Sequence, residues 1–209
     1  MTIKAILFDM DGVLIEAKEW HYEALNKALD HFNMPISRQD HLEVFNGLPT
    51  RKKLEMLTRD YGLLPENHDL INKLKQQYTL EIIHRECRPL VIHETALNDL
   101  KSRGYKLAVC SNSVRNTVEI MMHKSALAQY LDYMVSNEDV INGKPHPEMY
   151  LKAMHYFNVQ PHECLVVEDN ENGIKAARAA GAHVMIVKEV DEVTIENILA
   201  YITKIETTT

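Results

Sequence analysis

Apolar residues fall in two rhythms along this chain. Lys4-Ala5-Ile6-Leu7-Phe8 is a short, nearly continuous apolar run. Similar runs follow at Lys106-Leu107-Ala108-Val109-Cys110, Tyr133-Met134-Val135, Cys164-Leu165-Val166-Val167 and His183-Val184-Met185-Ile186-Val187. Runs of this length without polar alternation suit strands of a parallel sheet covered on both faces. Helical spacing fills the intervals, predicting helices over 94–103, 114–124, 147–157, 171–180 and 193–201, with a polar tail beyond. Gly104 and Gly181 supply stops, and Pro147 stands where a first helical turn tolerates proline.

The interval after the first run is different. From Glu16 to Arg88 only the helical rhythm is present. Trp20, Ala24, Leu25, Ala28, Leu29 and Phe32 share one face of a helix over 18–32. A short helix over 37–45 is capped by Ser37, and Asn46-Gly47-Leu48-Pro49-Thr50 reads as a turn. Another helix over 51–61 closes on Gly62. A longer one follows Pro65, with Ile71, Leu74, Tyr78 and Ile82 in register. About 70 residues is far longer than an ordinary connection in an α/β fold. The expected organisation is therefore an α/β parallel-sheet core, residues 1–15 and 89–209, with an all-helical cap domain, 16–88, inserted after the first strand as a lid over the strand tips.

Composition narrows the class. The chain has 209 residues, 45% hydrophobic and 25% charged, with a formal net charge of -7. An acidic balance argues against a nucleic-acid partner, and no apolar run approaches the roughly 18 residues of a membrane span. Cys87, Cys110 and Cys164 are sparse and fit reduced thiols in a cytoplasmic protein. No secretory leader is visible. His84, Cys87 and His93 match no zinc spacing.

Three predicted strands end in residues suited to a phosphate. The first ends in Asp9 and Asp11, with Gly12 relaxing the turn. The second ends in Ser111-Asn112-Ser113, a source of hydroxyl and amide donors. The fourth ends in Glu168-Asp169. Lys144 lies in the loop Asn142-Gly143-Lys144-Pro145, flanked by breakers. Adjacent strands would bring all four to one sheet edge, where ligands of open α/β sheets bind. A phosphate ester repels a carboxylate nucleophile, so Asp9 can attack only if that charge is neutralised. Mg²⁺ held by Asp9, Asp169 and a backbone carbonyl at Asp11, with the Lys144 ammonium, would do it. Glu168 stands beside Asp169 either as a further ligand or as a group that orients one. Asp9 would carry the phosphoryl group, and Asp11 would protonate the leaving oxygen and then activate water.

In this order the motifs resemble those of the haloacid dehalogenase superfamily. They are Asp9-Met10-Asp11-Gly12-Val13, Ser111, Gly143-Lys144-Pro145, and Glu168-Asp169 with Asn172-Gly173-Ile174. Within it, the chain is similar to the β-phosphoglucomutase-like phosphatases with a helical cap. The resemblance implies a Rossmann-like core, dependence on Mg²⁺, a cap that opens and closes, and a small phosphorylated metabolite as partner. Asp11 and the Glu168-Asp169 pair speak for phosphoryl transfer rather than dehalogenation. His21 and Arg51 resemble cap residues of the mutase branch. Ala17, however, stands where mutases carry a threonine, and the expected cap lysine falls at Leu74, with Lys73 and Lys75 beside it. The expectation is thus a monomeric phosphatase, with His21, Arg51 and Lys75 as cap contacts to substrate. The alternatives are a phosphosugar mutase and a non-catalytic phospho-aspartate switch, for which the lid and Asp11 have no use.

Overall fold

Five short strands form one parallel sheet: β1 (Ala5–Phe8), β2 (Lys106–Cys110), β3 (Tyr133–Val135), β4 (Cys164–Glu168) and β5 (His183–Ile186). Their order is β3-β2-β1-β4-β5. This arrangement comes from a computed structural model, which describes residues 2–45 and 47–208. β1 is central because all four of its residues are fully buried, as a strand flanked and covered on every side must be. Its register sets Phe8 beside Val109 on one side and Val167 on the other. The residues just past these positions, Asp9, Cys110-Ser111 and Glu168-Asp169, therefore emerge together at the carboxyl edge.

The chain divides into two compact units, Met1–Glu16 with Arg88–Thr209, and Ala17–Cys87. The described residues of the second unit form helices joined by turns and loops, with no strand among them. It comprises α1 (Lys18–Asp30), α2 (Arg38–Asp40) running into a π-turn at His41–Phe45, α3 (Thr50–Tyr61), and α4 (His68–Glu86) behind a 3₁₀ turn at Pro65–Asn67. Ser37 caps α2 by accepting from the Asp40 amide at 3.0 Å, and Gly62 ends α3 in the left-handed conformation at φ 76°. The unit has its own core of Leu25, Leu29, Phe45, Leu54, Leu57 and Ile71. Asn46, from the expected turn, and Thr209, from the expected tail, lie outside the described residues.

The sheet unit carries α5 (Val91–Ser102), α6 (Arg115–Lys124), α7 (Glu148–Phe157), α8 (Glu171–Ala179) and α9 (Ile195–Thr208). One expectation is corrected here. The supposed polar tail after Tyr201 is helix, because Ile198, Ile202 and Ile205 recur on one face and are all buried. Glu206 in that last stretch accepts the Ile3 amide at 3.0 Å, tying the helix to the start of the chain. Helix α5 also begins earlier than its spacing suggested, at Val91. Trp20, expected on the packed face of α1, is only half-buried, and Ala24, Leu25, Ala28 and Leu29 make the contact.

Candidate active site

Four segments meet at the carboxyl edge of the sheet. Past β1 the chain turns sharply: Gly12 adopts φ 93°, and its amide donates to the Ile15 carbonyl at 2.7 Å. That left-handed geometry suits glycine. It holds Asp9 and Asp11 in a tight loop, with Asp9 buried. The Asp11 carboxylate accepts from the Ser113 hydroxyl at 3.2 Å, a partner that strand-end reasoning did not single out.

Past β2, Ser111 is 1% exposed. Its amide donates to Val135 at 2.9 Å, and its hydroxyl accepts from the Ser113 amide at 3.1 Å. The Asn112 side chain reaches the loop that carries Lys144. Its Oδ1 accepts from the Lys144 amide at 3.0 Å, and its Nδ2 donates to the Lys144 carbonyl at 3.2 Å. The asparagine thus clamps the Lys144 peptide from both sides. Asn137 in turn donates to the Asn112 carbonyl at 2.9 Å.

This clamp aims the lysine. Lys144 Nζ lies 2.6 Å from Asp9 Oδ1 and 2.6 Å from Glu168 Oε1. Its side chain is 4% exposed. Burial opposes the ammonium, but Asp9 and Glu168 together outweigh it and lift its pKa above the ordinary lysine value. The site nonetheless holds more negative charge than Lys144 offsets. Burial, then Glu168, raises the Asp9 carboxyl well above its usual range. Lys144 pulls the other way, and Asp11 and Asp169 add to the rise. Helix α7 contributes Tyr150, which the sequence alone did not single out. Its hydroxyl donates to Glu168 Oε1 at 2.5 Å, and its ring lies 4.9 Å from the Lys144 nitrogen. Burial and then the Glu168 charge keep it a phenol, so it is the donor. At the start of α8, Gly173 has no room for a side chain: a Cβ there would lie 1.7 Å from Glu168 Oε1.

The helical unit holds the remaining expected residues. His21 Nδ1 and Lys75 Nζ are 3.4 Å apart, and Lys75 is buried. Arg51 pairs with Glu55 at 3.2 Å, its side chain 90% exposed.

The pattern of the haloacid dehalogenase-like hydrolases matches residues 6–187. The chain belongs to that family. The Thermotoga maritima protein named phosphorylated carbohydrates phosphatase is 29% identical over 187 residues, spanning 86% of this chain and 82% of its own. Pyrophosphatase PpaX of Bacillus mycoides is 31% identical over 196 residues, 90% and 84% of the two chains. Among solved structures, β-phosphoglucomutase of Clostridium difficile superposes with a TM-score of 0.84 at 23% identity, covering 99% of this chain and 100% of that one, which establishes the fold.

In this haloacid dehalogenase-like hydrolase the donor set fits a hard divalent ion. Oxygens of Asp9, Glu168 and Asp169 lie within 4.8 Å of one another, and carboxylates favour cations of the Mg²⁺ type over zinc. The neighbouring Cys110 adds no soft ligand. Burial pushes its thiol up to about 12, so it stays protonated.

Proposed function

We propose that this chain, a phosphatase, hydrolyses the monoester of a small phosphorylated metabolite, a sugar phosphate foremost, with Mg²⁺ and through a phosphoryl group carried on Asp9. The observation that carries this reading is the buried Lys144 ammonium set 2.6 Å from Asp9, in the cluster Asp9, Glu168 and Asp169 at the sheet edge. An ammonium held against the nucleophile places positive charge where an anionic ester must approach, and a divalent ion on the neighbouring carboxylates would offset the negative charge that Lys144 leaves.

The residues then divide the work. An Asp9 oxygen attacks phosphorus in line with the ester oxygen. That oxygen leaves with the electron pair of the breaking P–O bond and takes the proton of Asp11. Ionised Asp11 next takes a proton from water as that water attacks the phosphorus. The bond to Asp9 breaks, inorganic phosphate forms, and both aspartates return to their starting states. Ser111 and Lys144 hold the phosphoryl oxygens, while Ser113 orients Asp11 through its 3.2 Å hydrogen bond. Asp9, Asp169 and the main-chain carbonyl of Asp11 would hold a divalent ion, which would supply the positive charge that lets an anionic nucleophile meet an anionic ester. Selectivity among esters is assigned to His21, Lys75 and Arg51 of the helical unit.

The test is phosphate release from a panel of small phosphate esters, including β-glucose 1-phosphate, with and without Mg²⁺. Asp9→Asn should lower metal-dependent release about a thousandfold or more. Release that survives in Asp9→Asn would remove the nucleophile assignment, and no release from any ester would favour a mutase.

A further inference from the structure

Glu168 is enclosed by donors at both of its oxygens. Oε1 accepts from Lys144 Nζ at 2.6 Å and from the Tyr150 hydroxyl at 2.5 Å. Oε2 accepts from the backbone amides of Asp169 at 3.1 Å and Asn170 at 3.3 Å. A carboxylate offers about four lone-pair sites, and these four donors take them up. The residue is 0% exposed. On its remaining side it rests where a Cβ on Gly173 would stand, 1.7 Å from Oε1 and 2.4 Å from Oε2. A carboxylate that ligates a metal must keep a lone pair directed at the ion, and this one is turned to protein donors instead.

We propose that Glu168 and Tyr150 form a positioning pair for Lys144, and that Glu168 acts through the lysine rather than as a ligand of the divalent ion. The phenol fixes Glu168 Oε1, Oε1 fixes the ammonium, and the ammonium is thereby set on Asp9. Two turn amides hold the other oxygen and keep the carboxylate from rotating. Among the side chains, metal binding is left to Asp9 and Asp169, beside the main-chain carbonyl of Asp11. Tyr150 meets no reacting atom in this scheme; it lies one hydrogen bond behind Glu168 and two behind Lys144. The effect on turnover rests on the phosphatase reading above, whereas the division of labour between Glu168 and Asp169 does not.

Mn²⁺ binding to the resting full-length protein, followed by the electron spin resonance of the free ion, reads the ligand set without turnover. Glu168→Gln should weaken Mn²⁺ by no more than about fivefold, as expected for loss of a neighbouring charge that does not touch the ion, and Asp169→Asn by about thirtyfold or more, as expected for loss of a ligand. An equal loss in both variants overturns the proposal. Tyr150→Phe keeps the ring and removes only the hydroxyl. It should leave Mn²⁺ affinity within about twofold, leave KM for the best ester within about twofold, and lower kcat about tenfold, the signature of a contact that matters at the transition state. Wild-type kcat in Tyr150→Phe overturns its role, and so does a lowered melting temperature with unchanged kcat per folded molecule. Should Glu168→Gln fail to fold, Tyr150→Phe still decides: a tenfold change in Mn²⁺ affinity there would mark Glu168 as a ligand. If the wild-type chain releases phosphate from no ester, the phosphatase reading fails while the Mn²⁺ comparison still judges the proposal.

Discussion

Lys144→Met keeps most of the stem and deletes the charge, leaving the buried carboxylates of Asp9 and Glu168 without their shared partner. Removing one member of a buried ion pair costs roughly 3 kcal/mol, because the other must stay charged in a poor solvent or take up a proton. The variant should lose stability of that order in urea unfolding and lose measurable phosphate release. Retention of either would show that Lys144 is dispensable to the charge balance of the site. A second residue, in the helical unit, gives a pH signature. His41 is 1% exposed, its ring 5.2 Å from that of Tyr22. Burial lowers its pKa to about 4, helped by Lys53, His21 and Lys75 and opposed by Glu19. The folded chain therefore refuses a proton that the unfolded chain accepts near the ordinary value of about 6.5. Stability is unaffected above that value and falls as pH drops from about 6.5 toward 4, by about 3 kcal/mol at most. Urea midpoints measured across that window should show the fall, and His41→Phe should flatten it.

At the scale of elements, the helix ends and strand tips were readable because local chemistry writes them. Gly62, Ser37 and Gly12 each perform the local task their residue types suit. The five strands fell where continuous apolar runs stood, and the inner strands β1 and β4 are buried along their whole length, as strands covered on both faces must be. The end of α9 was misread because the Thr-rich composition of its last turns outweighed an apolar spacing that tertiary packing in fact uses. Ile202 is 3% exposed in that helix. Ile202→Ala should lower stability by about 2–4 kcal/mol through lost burial and the cavity left behind. Phosphate release per folded molecule should be unchanged, since α9 supplies none of the residues of the candidate site. A fall in kcat at full folding would show that α9 reaches the site. Asn112 and Tyr150 illustrate the opposite limit. An asparagine after a strand offers the same amide to a phosphate or to a neighbouring peptide. A tyrosine on the apolar face of α7 has the spacing of any core aromatic.

Over the whole molecule, one α/β unit interrupted after its first strand was legible from period alone. An insert of about 70 residues with only helical spacing cannot be an ordinary crossover. The candidate site was legible as a set of strand-end residues, and the sheet order β3-β2-β1-β4-β5 explains why they come together. With β1 central, the tips of β2 and β4 must flank Asp9. A divalent ion that binds only the assembled cluster stabilises the folded state by mass action. Mg²⁺ at about a hundred times its Kd should thus add about 2.7 kcal/mol to stability, and a chelator should abolish both that gain and phosphate release. A melting temperature indifferent to Mg²⁺ would show that the carboxylates hold no ion at rest. The sequence by itself determined the element types, the interruption and the residues able to carry phosphoryl chemistry, because periodicity and residue type are local properties. Only the tertiary structure decided how those residues are used. It set Lys144 between Asp9 and Glu168, turned Asn112 to the Lys144 peptide, placed Tyr150 behind Glu168 and left no space for a side chain at Gly173. Those assignments depend on distances between segments far apart in the chain, which no local pattern records.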